Sequence, residues 1–383
     1  MVDKKVIAKI ETLKHPLNKD LEDIPLKEVS RTNQISLLSY NFFLRPVVKN
    51  VEDDWKDERL EAFVSDDQNC LAQFDIICFQ EVFDFINKQR RQKLISYAEK
   101  AGYFYHRTSD PAPLFSSMLL DGGLLTISRF PIVESEFKPY PISMLSDALT
   151  YKGVLYCKID IQGKFLHIFQ SHTQASYFSE VYEEFEASIN TRQDQIRNIR
   201  QFVEEKTQNA DQSDLIIVCG DLNINGRKVD RVNVEGYRHM DTHTLPQFRR
   251  ALDQYDMEYD QMVSILSRDQ EDKVIDVMRK ANGGESPITF GDVIIDKEGK
   301  LRPTETQMVK EEDYCIMNSL DYIFQLQRSF QSAGPDNEVS SKSSKSLSID
   351  HSQSRVQKFL YDSHPKVKQM SDHFGVSTII KLQ

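Results

Sequence analysis

The chain has 383 residues, 39% of them hydrophobic, with a formal net charge of −11. That length suits one large domain or two ordinary ones, and the composition supports a sizeable core. The acidic balance argues against a nucleic-acid partner, whose phosphate backbone asks for a basic field, and is easier to reconcile with a zwitterionic or small phosphate ester.

Residues 1–33 are polar and weakly patterned and read as an N-terminal extension; MVDKKVIAKIETLKHPL lacks the apolar core of a signal peptide. From there short apolar runs alternate with amphipathic stretches. Strands are predicted at Ile35–Tyr40, Asp75–Phe79, Gly123–Ser128, Val154–Ile159, Phe165–Phe169, Leu215–Cys219, Leu320–Phe324 and Val376–Ile380. Helical spacing covers Lys56–Leu71, Ile86–Lys100 and Ser179–Glu205. A divergent stretch, 226–315, carries helices around 246–280 and glycines at 283 and 284, and the Ser-rich, polar segment 331–354 reads as a surface loop or disordered chain. Strands and helices alternate without strict βαβ periodicity, which predicts a mixed α/β layered fold with its site at strand ends. No run reaches the roughly 20 apolar residues that span a bilayer. Five cysteines occur without metal-binding spacing, and Cys78, Cys157 and Cys219 sit inside apolar runs. The expectation is a reduced, cytoplasmic protein whose membrane contact, if any, is peripheral.

Four short motifs place polar residues at the ends of these runs: Gln80-Glu81, Ser171-His172-Thr173-Gln174, Gly220-Asp221-Leu222-Asn223 and Ser371-Asp372-His373-Phe374-Gly375. Asn41 follows the first strand and Glu81 the second. An amide oxygen and a carboxylate at neighbouring strand ends suit a hard cation such as Mg2+; read singly, each is more often a turn asparagine or a solvated acid, and the shared position after an apolar run is what favours the site. His172 ends the run FLHIFQS, with polar neighbours, whereas His167 lies inside that strand and reads as structural. Asp221 and Asn223 share a face if the chain stays extended, where an acid and an amide can orient water and hold a phosphate oxygen. His373 needs an acceptor to fix its tautomer and stabilise its cation. Asp372, adjacent on an extended chain, points the other way, so Asp321 is assigned. Together these residues suit cleavage of a phosphate ester.

In order, YN (40–41), QEVFD (80–84), GGLLTISRFPI (122–132), KGVLYCKI (152–159), SHTQAS (171–176), GDLNIN (220–225), SLDYIF (319–324) and SDHFG (371–375) resemble the endonuclease/exonuclease/phosphatase superfamily, with QEVFD, KGVLY and HTQAS similar to its neutral sphingomyelinases. SPITFGD (286–292) is similar to that branch too. The resemblance covers roughly residue 34 to the end. It implies a four-layer αββα sandwich of two packed mixed β-sheets flanked by helices, with 34–383 as one catalytic domain. It implies Mg2+ at Glu81 with Asn41 and with Asp372 on the metal side, Mn2+ being an alternative ion. His373 is then the general base oriented by Asp321, His172 supports the phosphate or leaving oxygen, and Asp221 and Asn223 contact water and phosphate. Asp147 and Lys152 stand where neutral sphingomyelinases tend to carry an Asp and a Lys, in a substrate-binding or gating role. No exposed aromatic hairpin is evident, and Phe42-Phe43-Leu44 is a lipid-facing lip or core.

The expected activity is Mg2+-dependent hydrolysis of sphingomyelin, or a related phosphocholine lipid at a membrane surface, to ceramide and phosphocholine. No nucleic-acid partner is expected. A DNA endonuclease or exonuclease, a phosphoinositide phosphatase of the same superfamily, and an inactive lipid-binding scaffold are the competing readings.

Overall fold

The computed structural model describes residues 33–46, 54–65, 70–84, 89–113, 116–176, 182–228, 249–268, 270–328 and 345–383. The expected N-terminal extension, save Asn33, lies outside the described residues, as does the greater part of the Ser-rich segment. Residues 33–383 form one compact unit.

Two six-stranded sheets carry the fold. The first contains β1 (Gln34–Asn41), β2 (Ile76–Gln80), β3 (Tyr105–Thr108), β4 (Leu125–Ser128), β15 (Leu347–Gln357) and β16 (Gly375–Leu382), in the order β15-β16-β1-β2-β4-β3. The second contains β5 (Ile132–Pro139), β6 (Gly153–Ile161), β7 (Lys164–His172), β8 (Leu215–Asp221), β9 (Lys273–Asp276) and β14 (Asp321–Gln327), in the order β5-β6-β7-β8-β14-β9. Each sheet has one parallel pair at its centre, β1/β2 and β7/β8; its other neighbours are antiparallel. The small strands β10 (Phe290–Gly291), β11 (Val293–Ile295), β12 (Leu301–Pro303) and β13 (Met317–Asn318) pair locally as β10/β13 and β11/β12.

Side-chain alternation along the central strands builds the layers. Leu37, Ile76 and Cys78 of one sheet meet Leu155, Cys157, Ile168, Ile217, Cys219 and Ile323 of the other in the inter-sheet core. The opposite faces, Leu38, Tyr40, Ile77 and Phe79, pack on Leu60 and Phe63 of helix Lys56–Val64 and Leu94 and Ala98 of helix Arg90–Lys100. On the far side Tyr156, Phe169, Val218 and Phe324 pack on Ile196, Ile199, Phe202 and Val203 of helix Tyr182–Thr207 and Met262 and Leu266 of helix Arg249–Leu266. The result is helix, sheet, sheet, helix. All five cysteines are buried free thiols, and Phe42, Phe43 and Leu44 are core, not a lipid-facing lip.

The structure corrects several boundaries. The first helix stops at Val64, where Ser65 turns extended, and Leu71 belongs to a separate 3-10 turn, Leu71–Gln73. The second is described over Arg90–Lys100, and its expected start at Ile86 lies outside the described residues. The region 246–280 holds a helix to Leu266, then strand β9, then the short helix Val277–Ala281. Within the two six-stranded sheets, the strands that the apolar pattern missed, β3, β5, β9 and β15, are the outer ones. An outer strand pairs on one side only and tolerates polar residues there; HSQSR within β15 is such a run.

Strand β15 also overturns the reading of 331–354 as loop throughout. Leu347 and Ile349 are buried, and Leu347–Asp350 pair with Ile379–Leu382 of β16. Excising 333–350 is therefore expected to lower the thermal midpoint clearly, and Leu347→Ala alone to cost about 2–5 kcal/mol, the usual range for emptying a buried leucine site. Thermal unfolding followed by circular dichroism checks this; an unchanged midpoint would show that β15 contributes nothing.

Among the described residues no helix is long and apolar enough to cross a membrane.

Candidate active site

The two parallel pairs fix the site. A parallel pair puts both C-terminal ends on one edge of its sheet, where open α/β sheets bind their ligands. Asn41 ends β1 in register with Gln80, placing Glu81 beside it. His172 ends β7 in register with Asp221, the last residue of β8, and Asp321 opens β14 opposite Asp221. His373 arrives from the segment just before β16, where Ser371 Oγ donates to the Asn41 carbonyl at 2.6 Å. Gly220 allows the close approach of β7 to β8: a Cβ there would lie 1.8 Å from the Ser171 carbonyl oxygen, and its φ of 135° is open only to glycine.

His373 Nδ1 lies 2.9 Å from Asp321 Oδ2, and its Nε2 is 3.6 Å from Asp221 Oδ2. Burial opposes charge on this ring, yet Asp321, Asp221 and Asp372 outweigh it and raise its pKa well above the usual value. His172 is the opposite case. Burial, then Lys152, His373 and Arg45, hold its pKa well below the usual value, so the ring is neutral and keeps one N–H to donate. His172 Nε2 is 3.6 Å from Asp221 Oδ2, 4.0 Å from Glu81 Oε1 and 3.4 Å from Lys152 Nζ. Lys152 donates to the Thr173 carbonyl at 2.7 Å and pairs with Asp147 at 3.0 Å, and Asp147 Oδ2 accepts from Ala175 N. The structure thus brings Asp147 and Lys152 to the same wall as His172.

Asn223 is placed differently from expectation. The chain does not stay extended past Asp221. Asn223 takes a left-handed φ of 51°, its N–H caps Asp221 Oδ1, and its side-chain Nδ2 donates to the Thr173 carbonyl at 3.1 Å. It ties the β7 and β8 ends together through its amide nitrogen rather than lying beside Asp221 on one strand face.

The residues suit a hard cation on the Glu81 side. Glu81 Oε2 is buried and, among the described residues, accepts no hydrogen bond; Arg45 Nε lies 3.2 Å away as an ion pair without hydrogen-bond geometry. Asp372 is pushed up to about 7, by burial first and with Glu81 as the main carboxylate neighbour raising it, and Asp221 to about 6, again by burial first. Acids so destabilised are what a bound cation relieves. Asn41 Nδ2 donates to Glu81 Oε1 and Asp221 Oδ2, while its Oδ1 accepts from Phe43 N and keeps a second lone pair. A second grouping, Asp221, Asp321 and His373, has ligand atoms within 4.8 Å of one another. There Asp321 is already engaged by the imidazole, and a nitrogen suits Mg2+ less well than an all-oxygen set.

Several residues that shape the site carry no short-motif signal. Arg59, fully buried, donates to four backbone carbonyls, those of Asp54, Phe42, Phe43 and Met370, at 2.6–3.1 Å, and so clamps the segment after Asn41 to the one before Ser371. Thr289 Oγ1 accepts from the Leu320 and Asp321 amides, and its carbonyl accepts from Phe374 N, which joins both sides of the His373–Asp321 pair. Thr289 lies in SPITFGD, noted only for its resemblance. The buried Arg192–Glu258 pair reaches the Gln174 carbonyl through Arg192 Nη1, bracing the segment after His172 from the helix layer. Apart from the Arg59–Asp54 bond, five positions apart, these contacts join residues 16 to 311 positions apart, so they become visible only in the fold.

A buried histidine–aspartate pair among carboxylates, facing a second histidine and a lysine at the strand ends of a two-sheet sandwich, has the groups that phosphate-ester cleavage asks for. A model described as "Endonuclease/Exonuclease/phosphatase family" matches residues 55–257. The chain is 30% identical to a sphingomyelinase of Dictyostelium discoideum over 92% of its own length and 99% of that protein's. It is 25% identical to sphingomyelinase C of Bacillus cereus, covering 55% of this chain and 63% of the relative. The fold is shared with beta toxin of Staphylococcus aureus solved with bound magnesium ions, at 19% identity and a TM-score of 0.53, covering 91% of this chain and 100% of that one. The chain belongs to the Endonuclease/Exonuclease/phosphatase family, and within it is a sphingomyelinase-like phosphodiesterase.

Proposed function

We propose that the protein is a Mg2+-dependent phosphodiesterase that hydrolyses sphingomyelin, or a closely related phosphocholine lipid, to ceramide and phosphocholine. The observation that carries the chemistry is the pairing of His373 Nδ1 with Asp321 at 2.9 Å, which leaves Nε2 on the side of Asp221 Oδ2, 3.6 Å away. The end-to-end similarity to the Dictyostelium sphingomyelinase supports the choice of lipid. His373 Nε2 takes a proton from water as the water oxygen bonds to phosphorus and the phosphorus–oxygen bond to ceramide breaks, in line. In the unprotonated ring, the form that prevails above its raised pKa, Asp321 fixes the tautomer with Nε2 free, and it stabilises the imidazolium that forms. His172, neutral with an N–H to give, and Lys152 stand where they can donate to phosphate oxygens or to the departing alkoxide. Asp221, 3.6 Å from both imidazoles, orients the water. Mg2+, with Mn2+ as a substitute, would be held by Glu81 with Asn41 and Asp372 and would supply Lewis-acid stabilisation of phosphate charge.

Sphingomyelin in mixed micelles, plasmid DNA and a phosphoinositide, all at the same Mg2+ and low salt, separate the readings. Low salt gives any basic patch its best chance to capture DNA. Turnover of sphingomyelin, abolished by chelation, with little or none of DNA, is expected: phosphocholine has no net charge and is compatible with a chain of net −11. Faster cleavage of DNA would replace this reading by the nuclease one.

A further inference from the structure

Eight large apolar side chains are strongly exposed among the described residues, and four of them, Leu119 (71%), Ile142 (65%), Leu145 (42%) and Leu149 (45%), fall on two segments that lie side by side. Leu119 N and Leu120 N both donate to the Leu149 carbonyl, and Tyr151 N donates to that of Leu120. Residues 116–120 and 141–150 contain one charged side chain, Asp147, in a chain that is 28% charged. Asp147 is turned inward onto Lys152, which neighbours His172.

The exposure is built, not incidental. Leu145 takes a left-handed φ of 52°, unfavourable for a leucine. The segment is pinned from within: Met144 N donates to Gln174 Oε1, and Gln195 Nε2 donates to the Ile142 carbonyl. The same short stretch that sets Asp147 beside Lys152 therefore presents Leu145 and Leu149 outward. By contrast, the β11/β12 hairpin exposes Ile294 and Ile295 but carries Lys297, Glu298 and Lys300 in its turn.

We propose that Leu119, Ile142, Leu145 and Leu149 form the surface by which the enzyme seats on an uncharged lipid layer, bringing the Lys152–His172 wall of the cleft to the lipid–water interface. The inference rests on the lipid-phosphodiesterase reading above. The occupant follows from chemistry: two described segments that expose leucine and isoleucine and no charge of their own gain by entering the headgroup–acyl boundary of a zwitterionic bilayer, and they offer no cation to an anionic surface.

The test uses the full chain, its Ile142→Ser/Leu145→Ser/Leu149→Ser variant, and Met257→Ser, an exposed apolar residue on helix Arg249–Leu266, as control. Binding is measured by co-sedimentation with vesicles of phosphatidylcholine and sphingomyelin in chelator, so that no turnover is needed. A water-soluble phosphocholine ester with a chromogenic leaving group reports the cleft alone. The triple variant is expected to lose vesicle affinity by about tenfold or more, since three apolar side chains no longer leave water, with vesicle hydrolysis falling in step. Soluble-ester turnover stays within about twofold, as the substitutions spare every group of the cleft. The control follows the parent. Should the triple variant lose soluble turnover too, the single changes Ile142→Ser and Leu149→Ser decide by the same pair of assays. A parent that ignores neutral vesicles, or variants that bind them as the parent does, overturns the proposal and leaves this face to a protein partner. Vesicle binding lost in the variant, with sphingomyelin cleaved by neither protein, upholds the surface while removing the substrate assigned above.

Discussion

His373→Ala is expected to lower kcat/KM by about 10²–10⁴-fold, the range a positioned general base contributes, with the fold intact because the ring lies at a strand end rather than in the inter-sheet core. Asp321→Asn tests the pair. The amide cannot stabilise the imidazolium and favours the wrong tautomer, so a loss of similar order is expected. It also moves the pH profile. Burial lowers the His373 pKa, and Asp321 is the largest influence raising it. Removing that carboxylate therefore lowers the pKa, and the ascending limb of kcat/KM against pH shifts to lower pH. In the double variant the losses should be far from additive, since two residues acting as a unit are disabled by either change. Additive losses, or an unmoved ascending limb in Asp321→Asn, would mean that His373 is not the group Asp321 orients.

Much of this site was legible because each chemical residue sits within a residue or two of the end of a very apolar run. DIICFQ, FLHIFQS and LIIVC become the central strands β2, β7 and β8, buried on both faces, and strands so buried read as near-continuous apolar runs. Of the two candidate partners of His373, the geometry of adjacent residues disfavours Asp372, and the ring pairs with Asp321. Outer strands were not legible: HSQSR in β15 and KVID in β9 have one open edge and no need to be apolar. Nor were the supports. Arg59 reads in sequence as one more cation on a helix, and nothing local says that its guanidinium will be fully buried against the Met370 carbonyl 311 positions away. The expected extension of the chain through Asn223 failed for a local reason, the left-handed turn that lets its N–H cap Asp221. Asparagine is one of the few residues that enters that conformation readily.

Glu81→Gln decides where the cation sits. The change keeps shape and removes one charge from an oxygen set built for a hard ion. Mg2+ binding to the parent should raise its thermal midpoint with Mg2+ concentration, since a ligand of the native state stabilises by mass action. In Glu81→Gln the Mg2+ concentration needed for a given rise should increase by about ten- to a hundredfold, and turnover at limiting Mg2+ should collapse, with partial recovery at high Mg2+. The apo fold should hold. Asn41 Nδ2 still has Asp221 to donate to, and Asp372, now without the neighbour that helped raise its pKa, ionises more easily. Asp321→Asn supplies the contrast, because Asp321 belongs to the alternative grouping with Asp221 and His373. If the ion sits with Glu81, Asp321→Asn leaves the Mg2+ dependence of the thermal midpoint nearly unchanged while destroying turnover. If instead Glu81→Gln titrates like the parent and Asp321→Asn loses the response, the cation belongs beside His373. The base assignment then falls with it, because an imidazole that is coordinating a metal ion cannot also accept a proton from the attacking water.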